Sequence, residues 1–434
     1  MAVLENYLNL VGLFIFMYVE RTIEKSIRKY IARREIVAVI GPRQVGKTTL
    51  IENIVKDFDN VNKITLDDVE ARTLMDNNMK AFVEKYVKGY DYLFIDEIQY
   101  SERSGDVLKY IYDTEKVKVF ISGSSASEIS IKSLQKLVGR VFIYYLFPFS
   151  FEEYLSYKDK RALNILKQGN TLGLDSLDVY FKEFAIYGGY PEVVLARDKE
   201  EKELVLKNIY NTYFLKEIRN VLGITEDNKV VKVLKALALQ LGGEVNYEEI
   251  ASMVFAKNYE VKEYLEILEK TFIVSKAVNY HREKRKELKK TPKVYFVDNG
   301  LRNMVIDNFS YERQDISKLY ENFVASEIVK KGFELKYWRT KSGAEIDFVL
   351  EKGEVLIPVE VKTRLSSKSL SKGFVSFLKD YNPSKSFVLS ENLDDFRTIG
   401  EESVYFKKLV DVVNILEFSY LSLRSSSESK GFYI

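Results

Sequence analysis

The sequence predicts an α/β protein whose first part is a parallel sheet, and three observations carry this prediction. A run of five apolar residues at 36–40 leads into a glycine-containing loop and then into a helical pattern. Further apolar runs lie at 92–95 and 117–121, with helical patterns before each of them. Polar residues directly follow both of these runs. Strands that alternate with helices are typical of a parallel sheet, in which ligands bind beyond the carboxyl ends of the strands.

The loop after the first strand fits the pattern G-x-x-x-x-G-K-[ST], which binds a polyphosphate through backbone N–H groups and a helix N-terminus. Its lysine can reach the β- and γ-phosphates, and the hydroxyl after it can ligate Mg²⁺. An accidental Lys-Thr in a glycine turn is the alternative, but a strand precedes this loop and a helix follows it, as the motif requires. Predicted nucleotide-binding residues are Gly41, Pro42, Arg43, Gln44, Val45, Gly46, Lys47, Thr48 and Thr49, with Thr48 also a metal ligand and Lys47 also catalytic.

Candidates for the catalytic side of the site follow the later strands. Asp96 and Glu97 end the second apolar run, so Asp96 is predicted to hold Mg²⁺ and Glu97 to polarise the attacking water. Ser122 and Ser124 follow the third run, where a hydroxyl could contact the γ-phosphate or simply form a polar turn. Arg140 is a candidate for the arginine that stabilises transition-state charge, with an ordinary surface arginine as the alternative.

Composition bounds the remaining chemistry. The 434 residues are enough for two to four domains, and 46% hydrophobic with 30% charged residues is typical of a globular protein. A net charge of +2 means that any nucleic-acid contact must come from local patches. The absence of cysteine excludes disulfides and thiolate metal sites and favours a cytoplasmic location, and the single histidine excludes a His-rich zinc site.

The N-terminal segment at 7–19 is the only membrane-like stretch of the sequence. It is too short to span a bilayer and lacks the features of a signal peptide, so no membrane association is predicted. We expect residues 1–16 to be an extension from a mis-assigned start codon, with Met17 beginning the first domain. An amphipathic helix that packs on a partner is the alternative.

The remainder of the chain divides into four predicted regions. A change from alternating patterns to helical ones near Phe151, with a break at 188–191, predicts a helical lid over the nucleotide site. The predicted regions are 17–150 (P-loop ATPase core), 151–228 (helical lid or linker), 229–301 (winged helix) and 302–434 (C-terminal α/β domain).

The winged helix is predicted from two helices and a hairpin. A capping signature at 246–249 opens the first helix, a second helix follows at 261–270, and strands at 272–274 and 294–297 form the hairpin. The loop at 281–290 between these strands carries six basic residues, which suit either contact with a DNA backbone or an ordinary solvated hairpin. Acidic residues of the second helix favour a protein partner over a DNA groove; they are Glu263, Glu266 and Glu269.

Two alternating segments in the C-terminal region predict a cluster of carboxylates. At 344–350 and 355–362 apolar residues occupy every second position, so Asp347, Glu360 and Lys362 should lie together on the face opposite Ile346, Phe348 and Leu350. Glu321 on the preceding helix could supply a third acid. Two carboxylates can hold a divalent cation, and a nearby lysine can orient water or offset phosphate charge.

These motifs resemble AAA-type P-loop ATPases, and more closely the bacterial and archaeal ATPases that carry a C-terminal domain of uncharacterised function. The resemblance spans nearly the whole chain from Met17 and implies an ATPase site at Lys47, Thr48, Asp96 and Glu97. It also implies Ser122 or Ser124 as a sensor and Arg140 as the arginine. It is carried by GPRQVGKTT (41–49), YLFIDEIQ (92–99), ISGSSA (121–126), VGR (138–140), FPFSFEEY (147–154), YGGYPEVV (187–194), ENFVASEI (321–328), YWRTKSGAEIDFVLE (337–351) and PVEVK (358–362).

The C-terminal region resembles PD-(D/E)XK nucleases, particularly archaeal Holliday-junction resolvases. In those enzymes a helical Glu precedes an Asp and then a Glu-x-Lys strand. The resemblance implies Glu321, Asp347, Glu360 and Lys362 as nuclease residues, with a second Mg²⁺ or a Mn²⁺. An active nuclease, a nuclease fold that binds DNA without cutting it, and a plain solvated sheet face remain the three alternatives.

These expectations combine into a cytoplasmic, Mg²⁺-dependent ATPase that acts on duplex or branched DNA through a nuclease-like domain. Assembly as a homo-oligomer is expected, because Arg140 could act in a neighbour's site. The alternative is a nucleotide-gated switch whose C-terminal domain is a non-cutting scaffold for DNA or protein.

Overall fold

The structure of the protein is a computed structural model. The described residues are 18–124, 134–169, 175–214, 228–287, 290–353, 355–383, 385–400 and 402–421. The extension predicted at 1–16 lies outside them. None of the described helices has the length and apolarity that crossing a bilayer requires.

A five-stranded parallel sheet opens the fold, as the sequence predicts. Its strands are β1 Ile36–Ile40, β2 Val61–Thr65, β3 Tyr92–Asp96, β4 Lys118–Gly123 and β5 Val141–Tyr145. Their order is β2-β3-β4-β1-β5, and β1 is buried along its whole length between β4 and β5. Because the strands point the same way, the residues that follow β1, β3 and β4 meet at one edge of the sheet.

Helices cover this sheet, and one of them begins directly at the phosphate loop. They are α1 Glu24–Lys29, α2 Lys47–Val55, α3 Val69–Asn77, α4 Met79–Tyr86 and α5 Ser104–Thr114. Gly46 caps α2 with φ 88°, a left-handed conformation that favours glycine. A Cβ at Gly41 would lie 2.0 Å from the carbonyl oxygen of Leu146, so no side chain fits there. The loop geometry therefore requires glycine at both positions of the motif.

The next helices lead toward the C-terminal region, and the lid predicted over the nucleotide site for 151–228 stays a prediction. They are α6 Phe151–Lys158, α7 Lys160–Lys167, α8 Asp175–Tyr187, α9 Pro191–Leu195 and α10 Lys199–Asn208, followed by a π-helical turn at Ile209–Phe214. The rings of Phe151 and Phe181 pack 5.8 and 5.0 Å from the ring of Phe323 in the C-terminal region. The N–H of Phe151 also donates to the carboxylate of Glu327 over 3.1 Å. Burial of these aromatic side chains fixes α6 and α8 to the C-terminal core.

Helices and a hairpin follow at 228–305. The elements are α11 Asn228–Leu239, α12 Tyr247–Val254, α13 Asn258–Lys270, β6 Val274–Asn279, α14 Lys284–Glu287, β7 Lys293–Phe296 and α15 Asn299–Val305. The side chain of Asn246 caps α12 by accepting from the N–H of Glu249 over 3.1 Å, at the predicted position. Strands β6 and β7 pair antiparallel, so the predicted hairpin is present.

The basic loop of this hairpin is not a free wing. Lys284 pairs with Glu351 over 2.7 Å, and Arg282 donates to the backbone carbonyl of Asp380 over 2.9 Å. Lys290 likewise donates to the carbonyl of Arg339 over 3.0 Å. Three of the six basic residues thus contact the C-terminal region while remaining exposed, so contact with a DNA backbone and an ordinary solvated hairpin both stay predictions.

The C-terminal region is an α/β layer joined to the hairpin. Its elements are α16 Ile316–Lys330, β8 Lys336–Arg339, β9 Glu345–Ile346, β10 Phe348–Lys352, β11 Val355–Val361, α17 Lys372–Tyr381, β12 Ser386–Ser390, β13 Asp395–Ile399, β14 Glu402–Lys408, a 3₁₀ turn Leu409–Asp411 and α18 Val412–Leu421. One sheet has the order β10-β11-β12-β14-β13, and the other has the order β7-β6-β8-β9. Because β6 pairs with β8 in parallel, the hairpin and the C-terminal strands form one continuous sheet.

The apolar face predicted at 344–350 is divided between two cores. Ile346 packs with Trp338 and Phe374, whereas Phe348 and Leu350 pack in the core beneath β11. The strand is interrupted at position 347, where β9 ends and β10 begins in a different sheet. Simple alternation therefore does not describe this segment.

Candidate functional site

The phosphate loop connects β1 to α2 and surrounds the ammonium of Lys47. This side chain is 5% exposed, and its Nζ donates to the carbonyl oxygens of Gly41 and Pro42 over 3.1 and 2.8 Å. The left-handed conformations of Gln44 and Gly46 turn the loop around this position. A lysine held inside a loop of backbone N–H groups is suited to contact the phosphates of a nucleotide.

A hydroxyl and a carboxylate meet beside this loop. Thr48 Oγ1 donates to Asp96 Oδ2 over 2.8 Å, which joins the first turn of α2 to the end of β3. Oxygen ligands of this kind are those that Mg²⁺ prefers in nucleotide sites. The donor set at this edge of the sheet therefore fits a Mg²⁺ ion bound together with a nucleotide.

Glu97 follows Asp96 in a left-handed conformation, with φ 56° and ψ 49°. A non-glycine residue in this region stores strain and occurs preferentially at functional sites. Its N–H donates to Asp96 Oδ1 over 3.1 Å and lies 3.3 Å from Ser122 Oγ. Its carboxylate contacts the side-chain amide of Gln99, whose Oε1 accepts from the N–H of Ser124 over 3.1 Å. The strained turn directs Glu97 toward the same edge as the phosphate loop.

The two candidate serines are placed differently. Ser122 is fully buried and its hydroxyl contacts Asp96 Oδ1, so it orients the carboxylate. Ser124 is also buried, and its backbone N–H binds Gln99. The structure thus brings five predicted residues together. Four of them are Lys47, Thr48, Asp96 and Glu97, and the fifth, Ser122, positions Asp96.

Arg140 lies away from the nucleotide site of its own chain, so its predicted catalytic role stays a prediction for a neighbour's site. Its carbonyl accepts from the N–H of Ile36, so Arg140 lies at the amino end of β1, whereas the phosphate loop follows the carboxyl end. A strand of this length separates the two by roughly 15 Å at about 3.3 Å per residue. The Nε of Arg140 pairs with Asp113 Oδ1 over 3.0 Å, away from the loop.

Two residues at the site were missed by the sequence analysis. Arg21 is 4% exposed and donates to the carbonyls of Val45 and Phe147 over 2.7 and 2.6 Å, which supports the phosphate loop from behind. Nothing in the local sequence marks Arg21, because it precedes the motif and contacts it only through the fold. Gln99 stands two residues after Glu97, and that proximity was the signal that could have identified it.

The predicted C-terminal residues also meet in the structure. Phe348 lies opposite Val359 in the β10–β11 pair, which brings Asp347 level with Glu360. Asp347 Oδ2 accepts from the N–H of Val361 over 2.8 Å, and Lys362 pairs with Glu360 over 2.7 Å. We call the four predicted residues together with Glu345 the acidic centre; the four are Glu321, Asp347, Glu360 and Lys362.

Electrostatics in the acidic centre reflect its burial. Burial raises the pKa of Asp347 to about 7, and the neighbouring charges of Glu321 and Glu360 add to the rise. Burial acts to lower the pKa of Lys362, but Glu360, Asp347 and Glu321 raise it above its ordinary value. Both shifts reflect the charges that these four side chains exert on one another.

Three further residues that the sequence analysis did not predict reach Glu321. The hydroxyl of Tyr295 donates to Glu321 over 2.6 Å, and Lys318 pairs with it over 2.9 Å. Lys293 lies 3.8 Å from Glu321 and also contacts Glu345. Lys293 and Tyr295 come from β7, far earlier in the chain, so no local pattern links them to the carboxylates.

The fit of the acidic centre to a second metal is poor. Within the described ranges, no group of three or more His, Asp or Glu residues is arranged to hold a metal ion. The Glu321 and Glu360 carboxylates are instead paired with lysines. The Mg²⁺ or Mn²⁺ predicted for this region therefore lacks a ready ligand set.

Three family models match the chain. Residues 33–155 match an AAA domain, residues 179–312 match a domain of unknown function (DUF8612), and residues 317–411 match a domain of unknown function (DUF4143). The AAA match covers the phosphate loop, the Asp96–Glu97 turn and Arg140. The second match contains the whole of the predicted winged helix, and the third contains the predicted nuclease residues.

Relatives in bacteria and archaea share most of this length. An uncharacterized protein of Haemophilus influenzae is 27% identical over 319 residues, covering 72% of this chain and 76% of the relative. The uncharacterized protein MJ1544 of Methanocaldococcus jannaschii is 25% identical over 349 residues, covering 76% of this chain and 75% of the relative.

Among solved structures, the Walker-type ATPase paby2304 of Pyrococcus abyssi is similar at 14% identity with a TM-score of 0.39, covering 67% of this chain and 96% of that chain. The DNA clamp loader delta protein of Bacillus subtilis is similar at 11% identity with a TM-score of 0.27, covering 70% of this chain and 99% of that chain. Similarities at this level assign neither an activity nor a partner.

Proposed function

We propose that this chain, whose residues 33–155 form an AAA-type P-loop ATPase domain, hydrolyses ATP to ADP and phosphate with Mg²⁺. The observation that carries the proposal is the 2.8 Å contact between Thr48 and Asp96, which joins the phosphate loop to the acidic turn. When bound, Mg²⁺ would offset the negative charge of the phosphates. Thr48 and Asp96 would hold that ion.

Each residue of the site has a separate role in the proposed reaction. Lys47 exchanges its carbonyl partners for β- and γ-phosphate oxygens and stabilises the charge that develops on them. Glu97 orients a water molecule and accepts its proton as the water oxygen bonds to the γ-phosphorus. The bond from the γ-phosphorus to the bridging oxygen breaks, and ADP leaves with its electron pair. Ser122 and Gln99 hold the two carboxylates in position.

Steady-state release of inorganic phosphate from the full chain tests the proposal. Lys47→Ala should lose at least about a hundredfold in turnover, because the charge on the transferring phosphoryl group is no longer stabilised. Glu97→Gln should retain ATP binding but lose hydrolysis. Undiminished turnover in Lys47→Ala, with an unchanged circular dichroism spectrum, would refute the site.

As a second candidate function, the C-terminal region acts on duplex or branched DNA as a nuclease-like domain. The convergence of Glu321, Asp347, Glu360 and Lys362 supports it. Cleavage by this centre would depend on Mg²⁺ or Mn²⁺ and would be lost in Asp347→Ala and Lys362→Ala. Absence of cleavage across a panel of duplex and branched DNA would favour a scaffold that binds without cutting.

The remaining assignments complete the proposal. Residues 17–150 act as the ATPase core, 229–301 as a winged helix that can bind protein or DNA, and 302–434 as the nuclease-like domain. Residues 151–228 connect the core to the C-terminal domain. The chain works in the cytoplasm as a homo-oligomer, in which Arg140 of one subunit serves the nucleotide site of the next. A nucleotide-gated switch that turns over ATP slowly is the alternative to a continuously cycling enzyme.

A further inference from the structure

Lys293 brings a buried positive charge into the acidic centre. Its side chain is 3% exposed, its Nζ contacts the Glu345 carboxylate, and the same atom lies 3.8 Å from Glu321 Oε1. It also lies 5.2 Å from the centre of the Tyr337 ring, a cation–π distance. Its charge acts on Asp347 as well, where it opposes the rise in pKa. The Lys293 ammonium is therefore the counter-charge of both Glu321 and Glu345, which lie in two separate segments of the chain.

The backbone holds this lysine on both sides. In the hairpin, Lys293 is opposite Ala277 of β6, and on its other side it forms a bridge with Glu244. The carbonyl of the preceding residue, Pro292, accepts from the N–H of Val245 over 3.0 Å. A strand bonded along both edges fixes where its side chains point. The position of the ammonium is therefore set by the fold and not by a mobile loop.

Lysines also pair with Glu321 and Glu360, and hydroxyl groups donate hydrogen bonds to both carboxylates. Glu321 pairs with Lys318 over 2.9 Å and accepts a hydrogen bond from the Tyr295 hydroxyl over 2.6 Å. Glu360 pairs with Lys362 over 2.7 Å and accepts a hydrogen bond from the Ser371 hydroxyl over 3.0 Å. Three lysines thus face a set of carboxylates that, in the described part of the chain, forms no metal-binding group of three.

We propose that Lys293 is the resident cation of the acidic centre. Its ammonium takes the place between Glu321 and Glu345 that a divalent ion would otherwise use, so the wild-type centre binds such an ion weakly. Buried carboxylates that lose their counter-charge either take up a proton or bind another cation. Removal of the Lys293 charge should therefore create affinity for a divalent cation. This inference goes beyond the proposed ATPase, and of the two C-terminal alternatives it favours the non-cutting scaffold over the metal-dependent nuclease.

Binding of Mn²⁺ to the full-length, nucleotide-free protein tests the inference. Isothermal calorimetry and the Mn²⁺-dependent change in Tm would compare wild type with Lys293→Met, which keeps a long side chain without its charge. We expect Lys293→Met to bind Mn²⁺ at least about tenfold more tightly than wild type. The gain should disappear when Asp347→Asn is added. Any Mn²⁺ bound at the phosphate loop is common to all variants and cancels in the comparison.

Lys318→Met is the matched control, because Lys318 pairs with the same Glu321 but its side chain is 46% exposed. It should change Mn²⁺ affinity less than about threefold, since water can compensate an exposed charge. Should Lys293→Met fail to fold, the wild-type protein still decides the question. Tight Mn²⁺ binding by wild type that Asp347→Asn abolishes would overturn the proposal, as would a folded Lys293→Met that gains no affinity. Neither result depends on ATP turnover, so the proposed ATPase stands or falls separately.

Discussion

Phe272 packs edge-on against Phe147, with ring centroids 5.4 Å apart and ring planes at 80°. Phe147 follows Leu146, whose carbonyl oxygen leaves no room for a side chain at Gly41 of the phosphate loop. Phe272 directly precedes the segment that forms β6, the partner of β7. The pair therefore connects the neighbourhood of the phosphate loop with the hairpin that carries Lys293.

This contact predicts that nucleotide binding affects the hairpin. Hydrogen exchange of residues 274–296 should slow when ATPγS binds to wild type, and Phe272→Ala should reduce that effect by at least about half. The variant should lose about 2 kcal/mol of stability, because a partly buried aromatic ring is removed. Phe396→Ala is the control, since Phe396 is exposed on β13. An unchanged exchange response in Phe272→Ala would show that the contact does not couple the two regions.

Gln99 is predicted to act on catalysis by positioning Glu97. Its amide contacts the Glu97 carboxylate while its oxygen accepts from Ser124, so Gln99→Ala should free Glu97 from the end of β4. We expect kcat for ATP to fall about tenfold with ATP affinity changed less than about threefold, because the lost interaction concerns water activation and not phosphate binding. Gln168→Ala, at the end of α7, provides the control. A fall in ATP affinity with kcat intact would contradict the positioning role.

Arg140 is predicted to function only between subunits. Arg140 lies at the amino end of β1, so it does not act in the nucleotide site of its own chain. If a neighbouring subunit supplies the arginine, Arg140→Ala should lose at least about a hundredfold in turnover. Mixing Arg140→Ala with Lys47→Ala should then restore part of the activity, since each variant provides what the other lacks. Asp113→Asn, which removes the partner of Arg140 and leaves the arginine, should stay active. An inactive mixture, or a fully active Arg140→Ala, would contradict the prediction.

The buried carboxyl of Asp347 predicts a pH dependence of stability. Its pKa rises from 3.8 to about 7 in the folded chain, because of burial first and the charge of Glu321 next. The folded state therefore holds a proton that the unfolded chain releases, and the stability contribution of this group falls as the pH rises from 4 to 7. Glu360 acts in the same direction, and Lys293 opposes it.

Asp347→Asn should remove this dependence. The Tm of the variant relative to wild type should rise by roughly 3–6 °C between pH 5 and pH 8, measured by calorimetry. Asp380→Asn, at an exposed position of α17, should show no such trend. A constant Tm difference across this range would mean that Asp347 ionises normally in the folded protein.

Much of the nucleotide site was predictable, because its parts are local in sequence. The loop at 41–49 and the Asp96–Glu97 pair each follow a buried strand, and parallel strands carry such residues to one edge. The distance of Arg140 from the phosphate loop was not predictable, because a position shortly before an apolar run does not reveal which end of the sheet it occupies. The packing of the helices at 151–187 was not predictable for a similar reason, since helical patterns do not show which core their aromatic side chains enter.

The sequence alone determined the phosphate loop, the acidic turn and the order of the four nuclease-like residues, because strand periodicity and short motifs act over a few neighbouring positions. Only the tertiary structure decided that Arg21 supports the loop and that Lys293 enters the acidic centre. Those contacts join segments separated by 24 and 52 residues, namely Arg21 with Val45 and Lys293 with Glu345. Which distant charges become neighbours depends on how the hairpin joins the C-terminal strands, and no local pattern contains that information.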